Sequence, residues 1–298
     1  MLMETGRNKI SAYFWMMRPL NAFTAAFAVV YALIFANETL LDWRVYAFAA
    51  SAAFFTTAHS MVHNDIVDVE IDMVNAPYRA LPSKQLSMKE AKVFALFLLL
   101  FAVLSGYAID ILTNFFPFST LWALGNSILL DSYNKWLKKF GLIGNFIVGF
   151  SPYALFLYAD LLIYRGLTIQ VEAVGLLALG TIWGREVFKG IYDIPGDSAH
   201  GVRTIAVVYG RRMAAFIGSL IVGSGVLATI PLLIDDEVTN PYLKGVFAIV
   251  DFILMYKCIR LLQRPTDENA FKTKLFMLRL LLLAILSITM ITLSDRYF

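Results

Sequence analysis

Seven stretches of this chain contain no Asp, Glu, Lys or Arg: residues 20–36, 45–62, 93–109, 115–130, 141–159, 213–234 and 280–294. A helix needs about 20 largely apolar residues to cross the hydrocarbon of a bilayer, and these runs approach or reach that length. Two further stretches have the same character with interruptions. Residues 173–192 are broken by Arg185, Glu186 and Lys189, and residues 242–258 by Lys244 and Asp251, with Lys257 near the end. The chain is 59% hydrophobic and 16% charged, with a mean hydropathy of +0.68. A soluble domain of 298 residues has no use for so much apolar surface. Continuous runs also exclude a membrane β-barrel, whose strands alternate over about ten residues. The expectation is an all-α polytopic membrane bundle of nine transmembrane helices, forming a single domain over residues 1–298. The polar N-terminal segment does not read as a cleavable signal, and one cysteine, Cys258, excludes an internal disulfide.

If nine helices alternate in direction, 21 of the 25 Lys and Arg residues fall on one side. That is the side of the N-terminus and of the loops after the second, fourth, sixth and eighth spans. Acids such as Asp110, Asp160, Asp235, Asp236 and Glu237 fall on the other. The positive-inside rule then predicts a cytosolic N-terminus, with Phe298 outside. No nucleic acid and no obligate protein partner are expected; membrane lipid is.

Two acidic clusters fall on the predicted cytosolic side. The first, HNDIVDVEIDMVNAPYRALPS, follows the second apolar run. Continued as a helix at about 100° per residue, it places Asp65, Asp68 and Asp72 within an arc of about 60° and turns Glu70 nearly opposite. Carboxylates so close destabilise one another unless a cation lies between them. Oxygen donors without His or Cys favour Mg2+, which binds one or two carboxylates together with a substrate's phosphates. His63 stands at no ligand spacing and reads as a packing or hydrogen-bonding residue. The second cluster is GREVFKGIYDIPGDSAHGVRT, in which Arg185, Lys189, Asp193 and Asp197 recur every four residues. Asp193 to Asp197 repeats the spacing of Asp68 to Asp72, and each pair is followed by an arginine, Arg79 or Arg203. This reads as a quasi-repeat offset by about 125 residues whose two helix ends serve one cavity.

Asn64-Asp65-Ile66-Val67-Asp68-Val69-Glu70-Ile71-Asp72 fits the NDxxDxxxD signature of the UbiA superfamily of membrane prenyltransferases, and Asp193-Ile194-Pro195-Gly196-Asp197 fits its second, DxxxD. Arg18-Pro19-Leu20-Asn21 resembles the start of the family's first helix. The loop Asn75 to Ser83 resembles the one after its first motif, and Tyr133 with Lys138 resembles its Tyr/Lys element. Lys138 stands five residues after Tyr133, not four, so Lys135 competes for that place. Gly190 stands where many members carry another Asp. The run GREVFKGIYDIPGD followed by GVRTIAVVYG is most similar to the archaeal ether-lipid branch.

The resemblance implies a Mg2+-dependent transfer of a geranylgeranyl group from its diphosphate to the hydroxyl of geranylgeranylglyceryl phosphate, a lipid-like prenylated glycerol phosphate. It implies metal contacts from Asn64, Asp65, Asp68, Asp72, Asp193 and Asp197, with Asp68, Asp72, Asp193 and Asp197 catalytic. Asn64, Arg79, Lys138, Arg185, Lys189, Arg203 and Tyr133 are the expected phosphate-binding side chains. Arg18 and Asn21 join them near the mouth, with packing or interfacial snorkelling the equal alternative. Two other readings stand beside this one. The first is a prenyltransferase of the same family with an aromatic or chlorin acceptor. The second is a cation-coupled transporter, disfavoured because both clusters lie near one membrane face and not at its midplane. Asp251 carries no functional expectation.

Overall fold

The computed structural model describes residues 8–36, 41–199, 201–234 and 240–297. Asp235, Asp236, Glu237, Phe298 and His200 of the second acidic cluster lie outside the described residues. The described chain is helical throughout: α1 (Lys9–Met16), α2 (Pro19–Ala36), α3 (Trp43–Val67), α4 (Val69–Asn75), α5 (Met88–Thr113), α6 (Phe118–Lys135), a 3-10 turn (Leu137–Lys139), α7 (Gly141–Tyr164), α8 (Ile169–Tyr192), α9 (Ile194–Ala199), α10 (Ile205–Ala228), α11 (Ile230–Ile234), α12 (Pro241–Gln263) and α13 (Asp267–Tyr297).

Each of the nine apolar stretches falls on a long helix, yet only six candidate membrane spans emerge from length and composition among the described residues. They are α2, α3, α5, α7, α10 continued into α11, and α13. The other three long helices are the more polar ones. Asn126, Asp131 and Asn134 lie in α6, Glu172, Arg185 and Lys189 in α8, and Lys244, Asp251 and Lys257 in α12.

The chain divides into two compact units, one built from residues 1–30 and 40–136 and the other from residues 31–39 and 137–298, so that α2 contributes to both. In the first unit α3 packs on α5 and α6, and α1 lies against α3. Arg18 breaks the chain between α1 and α2. A residue before proline is disfavoured in the α region, and Arg18 takes φ +47° while Pro19 opens the next helix. The N-terminus of α5 is closed by a capping box between Ser87 and Glu90. Asp110, fully buried near the end of α5, accepts the backbone amides of Ser119 at 2.6 Å and Thr120 at 3.0 Å, and so caps α6. The loop after the first acidic cluster is anchored, because Leu81 and Leu86 are buried with Ala12, Met16, Ala91 and Leu98.

In the second unit α8 packs on α7, α10 and α13. Asp160 repeats the capping device: fully buried, it accepts the Thr168 amide at 2.6 Å and its hydroxyl at 2.9 Å ahead of α8. The approach of α8 to α10 requires glycine, since a Cβ on Gly180 would stand 2.8 Å from the Ile221 carbonyl oxygen. Gly210 bends α10 with φ +84°, and α10 is followed by its C-cap Thr229, whose hydroxyl donates to the buried Asp251 of α12 at 2.6 Å. Asp251 is thus an internal hydrogen-bond acceptor.

Candidate active site

The first acidic cluster is not one uninterrupted helix. Regular α3 ends at Val67, Asp68 takes φ −92° and ψ 9°, and α4 begins at Val69. The i to i−4 bonds nevertheless run on through the joint: the Asp68 amide donates to the Asn64 carbonyl at 2.9 Å and the Asp72 amide to the Asp68 carbonyl at 2.8 Å. The joint therefore keeps the angular relation expected of a helix. Asp65 and Asp72, each only 5% exposed, share a side, while Glu70 points to solvent.

Arginine joins these two carboxylates. Arg79 Nη1 lies 2.6 Å from Asp72 Oδ2 and 3.4 Å from Asp65 Oδ1. Arg18 Nη2 donates to the same Asp65 oxygen at 2.8 Å. Partial burial works against the Arg79 charge, but the hydrogen bond to Asp72 and the two carboxylates hold its pKa above the ordinary value. Arg18 also reaches Met61 Sδ at 3.3 Å, and Asn21 lies 3.9 Å from the same sulfur. The structure thus brings Arg18, Asn21, Asp65, Asp72 and Arg79 together at the end of α3, with Asp65 as the hub of two guanidinium groups. Asn64 and Asp68 are half-buried on the same two turns.

The second cluster has the same local build. Helix α8 ends at Tyr192, Asp193 occupies its C-cap, and α9 carries Asp197, whose amide donates to the Asp193 carbonyl at 2.9 Å. Asp68 and Asp193 both mark a helix break, and Asp72 and Asp197 both follow one turn later. Lys189 Nζ lies 3.7 Å from Asp193 Oδ2 and 3.9 Å from Glu186 Oε2, and Arg185 pairs with Glu186. Gly190 is buried, and a Cβ there would lie 3.7 Å from Thr204, the N-cap of α10.

Lys138 and Arg203 meet the same short segment. A Cβ on Gly144 would lie 3.2 Å from the Lys138 Cα, and Gly141, at φ +41°, leaves no room for one beside the Arg203 carbonyl. Both flanking loops therefore rest on the first turn of α7. Lys135 lies over the ring of Trp136, 5.8 Å from its centroid. Tyr133 is half-buried on α6.

Three participants escaped the sequence. Glu186 holds both cations of the second cluster, and its spacing of three residues before Lys189 was the available signal. Lys274 of α13 donates to the Tyr192 hydroxyl at 2.5 Å, beside Asp193, and no local pattern announces it. Asp131 of α6 lies 2.9 Å from Nδ1 of His63, a close contact that lacks hydrogen-bond alignment.

Among the described residues, no three His, Cys, Asp or Glu side chains converge well enough to hold a metal unaided. The donor set of each cluster is carboxylate oxygen, with an amide oxygen from Asn64 at the first. Two carboxylates one turn apart suit Mg2+, which completes its shell with phosphate oxygens and water and needs no protein cage.

A model of the UbiA prenyltransferase family matches residues 23–282. The digeranylgeranylglyceryl phosphate synthase of Methanocaldococcus jannaschii is 29% identical over 270 residues, covering 90% of this chain and 92% of that one. That of Methanospirillum hungatei is 32% identical over 264 residues, with coverage of 89% and 91%. That of Sulfolobus acidocaldarius is 36% identical over 227 residues, with coverage of 74% and 76%. A solved structure concerned with digeranylgeranylglyceryl phosphate synthase in membranes superposes with a TM-score of 0.82 at 27% identity, covering 96% of this chain and 99% of the other. A UbiA homolog from Archaeoglobus fulgidus bound to DMAPP and Mg2+ shares the fold, with a TM-score of 0.68 at 14% identity and coverage of 92% and 98%.

Proposed function

The chain belongs to the UbiA prenyltransferase family, and from that premise we propose that it moves a geranylgeranyl group from geranylgeranyl diphosphate to the free hydroxyl of geranylgeranylglyceryl phosphate. The product carries the second ether bond of an archaeal-type membrane lipid. The observation that carries this reading is the repeated helix break, Asp68 with Asp72 and Asp193 with Asp197, in a chain whose relatives of similar length carry this activity in their names. The match over residues 23–282 supports one prenyltransferase domain.

Breaking the allylic C–O bond places negative charge on the departing diphosphate, and forming the ether releases the hydroxyl proton. Mg2+, when bound, supplies Lewis-acid neutralisation of that charge. Asn64, Asp68 and Asp72 at the end of α3 are oxygen donors that would hold one such ion, and Asp193 and Asp197 at the end of α8 are those that would hold a second. Arg79 and Arg18 orient phosphate oxygens from their seat on Asp65, guanidinium being matched to phosphate by its planar fork. Lys138, Arg185, Lys189 and Arg203 contribute further positive charge, and Asn21 and Tyr133 polar contacts. A cation-like allylic carbon needs little base assistance at the acceptor hydroxyl.

The same reading orients the protein. Nine spans, counting α6, α8 and α12 with the six more apolar helices, put both acidic helix ends beside the basic loops. These loops face the cytosol by the positive-inside rule, with the N-terminus cytosolic and the C-terminus outside. Length supports the three additional spans: α6 has 18 residues, α8 has 24 and α12 has 23. The test is transfer of radiolabel from geranylgeranyl diphosphate to geranylgeranylglyceryl phosphate by the purified protein with Mg2+. Transfer only to an aromatic or chlorin acceptor would overturn the acceptor assignment.

A further inference from the structure

The final turns of α3, immediately ahead of the first acidic motif, carry a polar cluster that the chemistry above does not use, with His59 and Asn134 buried and His63 and Asp131 half-buried. His59 Nδ1 lies 2.9 Å from the Ala95 carbonyl oxygen of α5. Its Nε2 lies 3.2 Å from Asp131 Oδ1 and 3.3 Å from Oδ2. His63, one turn further, approaches the same carboxylate at 2.9 Å, with the two imidazole rings 6.1 Å apart and nearly parallel. Asn134, one turn beyond Asp131 on α6, donates to the Ser60 carbonyl at 2.9 Å. That carbonyl is the one to which the Asn64 amide bonds in a regular helix.

Holding α3 in place elsewhere needs no such groups, since its buried residues before this point are mainly small and apolar: Val45, Ala49, Ala58. Polar side chains enclosed in a membrane bundle cost free energy unless they meet partners, so the hydrogen bonds of His59 and Asn134, confined to two turns, specify orientation. Rotating α3 by a single residue, about 100°, would carry both imidazoles off Asp131. It would also turn Asn64 and Asp68 away from their present directions. We propose that Asp131 is a positioning residue for the first acidic motif: through its hydrogen bond to His59 and its close contact with His63 it fixes the rotation of α3 against α6, and so the aim of Asn64 and Asp68. This rests on the diphosphate reading of that motif.

The test is calorimetric binding of geranylgeranyl diphosphate with Mg2+, without acceptor, to the purified wild type and to Asp131→Ala and Asp131→Asn. Loss of folded protein lowers the number of binding sites but leaves the Kd of those that remain; misaimed ligands change the Kd itself. Asp131→Ala is expected to raise Kd about 10- to 100-fold, the range for outer-shell partners of metal ligands. Asp131→Asn, which keeps one acceptor oxygen, falls between it and the wild type and serves as the reading if the alanine variant does not fold. An unchanged Kd, with fewer sites or a lower Tm alone, overturns the proposal. A wild type that binds no Mg2+–geranylgeranyl diphosphate overturns the diphosphate reading, and this inference with it.

Discussion

The guanidinium of Arg79 lies 2.6 Å from the carboxylate of Asp72, seven residues before it, and the same nitrogen reaches Asp65 at 3.4 Å. Two nearly buried carboxylates are thereby bridged by one cation from the loop that follows them, with Arg18 supplying a second charge to Asp65 at 2.8 Å.

Removing Arg79 should harm both stability and turnover. A charge-assisted hydrogen bond contributes about 1.5–3 kcal/mol, and Arg79→Ala leaves Asp72 short of its counter-ion, so the thermal midpoint in detergent should fall. Transfer of label should drop by about 100-fold, the scale for losing one charge-stabilising donor. Arg79→Lys keeps the charge without the fork and should recover stability more than activity. Wild-type turnover in Arg79→Ala would remove the arginine from the site.

Asp65 and Asp68 should separate in their response to metal. Asp65 faces two guanidinium groups, so Asp65→Asn should loosen the arginines and raise the KM for geranylgeranyl diphosphate while the Mg2+ requirement stays near that of the wild type. Asp68→Asn should raise the Mg2+ concentration needed for half-maximal transfer. An equal shift of the Mg2+ requirement in both variants would make Asp65 a ligand and not an arginine holder.

The second cluster is predicted to be indispensable. Asp193 and Asp197 bracket a helix break built like that of Asp68 and Asp72. Asp193→Ala and Asp197→Ala should therefore abolish label transfer while the protein elutes and melts as the wild type does. Retained transfer in either would sink the two-cluster model.

Much of this was legible because helices and lipid impose simple rules. The apolar runs located every long helix, and the four-residue spacing of Asp68, Asp72, Asp193 and Asp197 survived the breaks because the backbone bonds continue across them. The number of spans was less legible: six helices are long and apolar enough to cross a membrane among the described residues, and Asp131, Arg185 and Asp251 make α6, α8 and α12 more polar than those. Tertiary partners were the least legible. Nothing in the sequence near Asp65 points to Arg18, 47 residues away, and nothing near Tyr192 points to Lys274. His63 looked isolated only because Asp131 arrives from another helix.

Two glycines of α8 should respond in opposite ways to alanine. At Gly180 a Cβ would stand 2.8 Å from the Ile221 carbonyl oxygen and 2.9 Å from the Gly225 Cα, both backbone atoms of α10. The two helices would have to part, and overpacking of this kind costs about 1–3 kcal/mol. At Gly190 the nearest atoms to a Cβ are Thr204 Cβ and Oγ1 at 3.7 Å, an ordinary contact. Alanine there adds packing and a gain in helix propensity of up to about 1 kcal/mol. Thermal unfolding in detergent should thus show Gly180→Ala below the wild type and Gly190→Ala at or above it. The reverse order would mean that α8 does not meet α10 through Gly180, and that the space at Gly190 is filled by something other than Thr204.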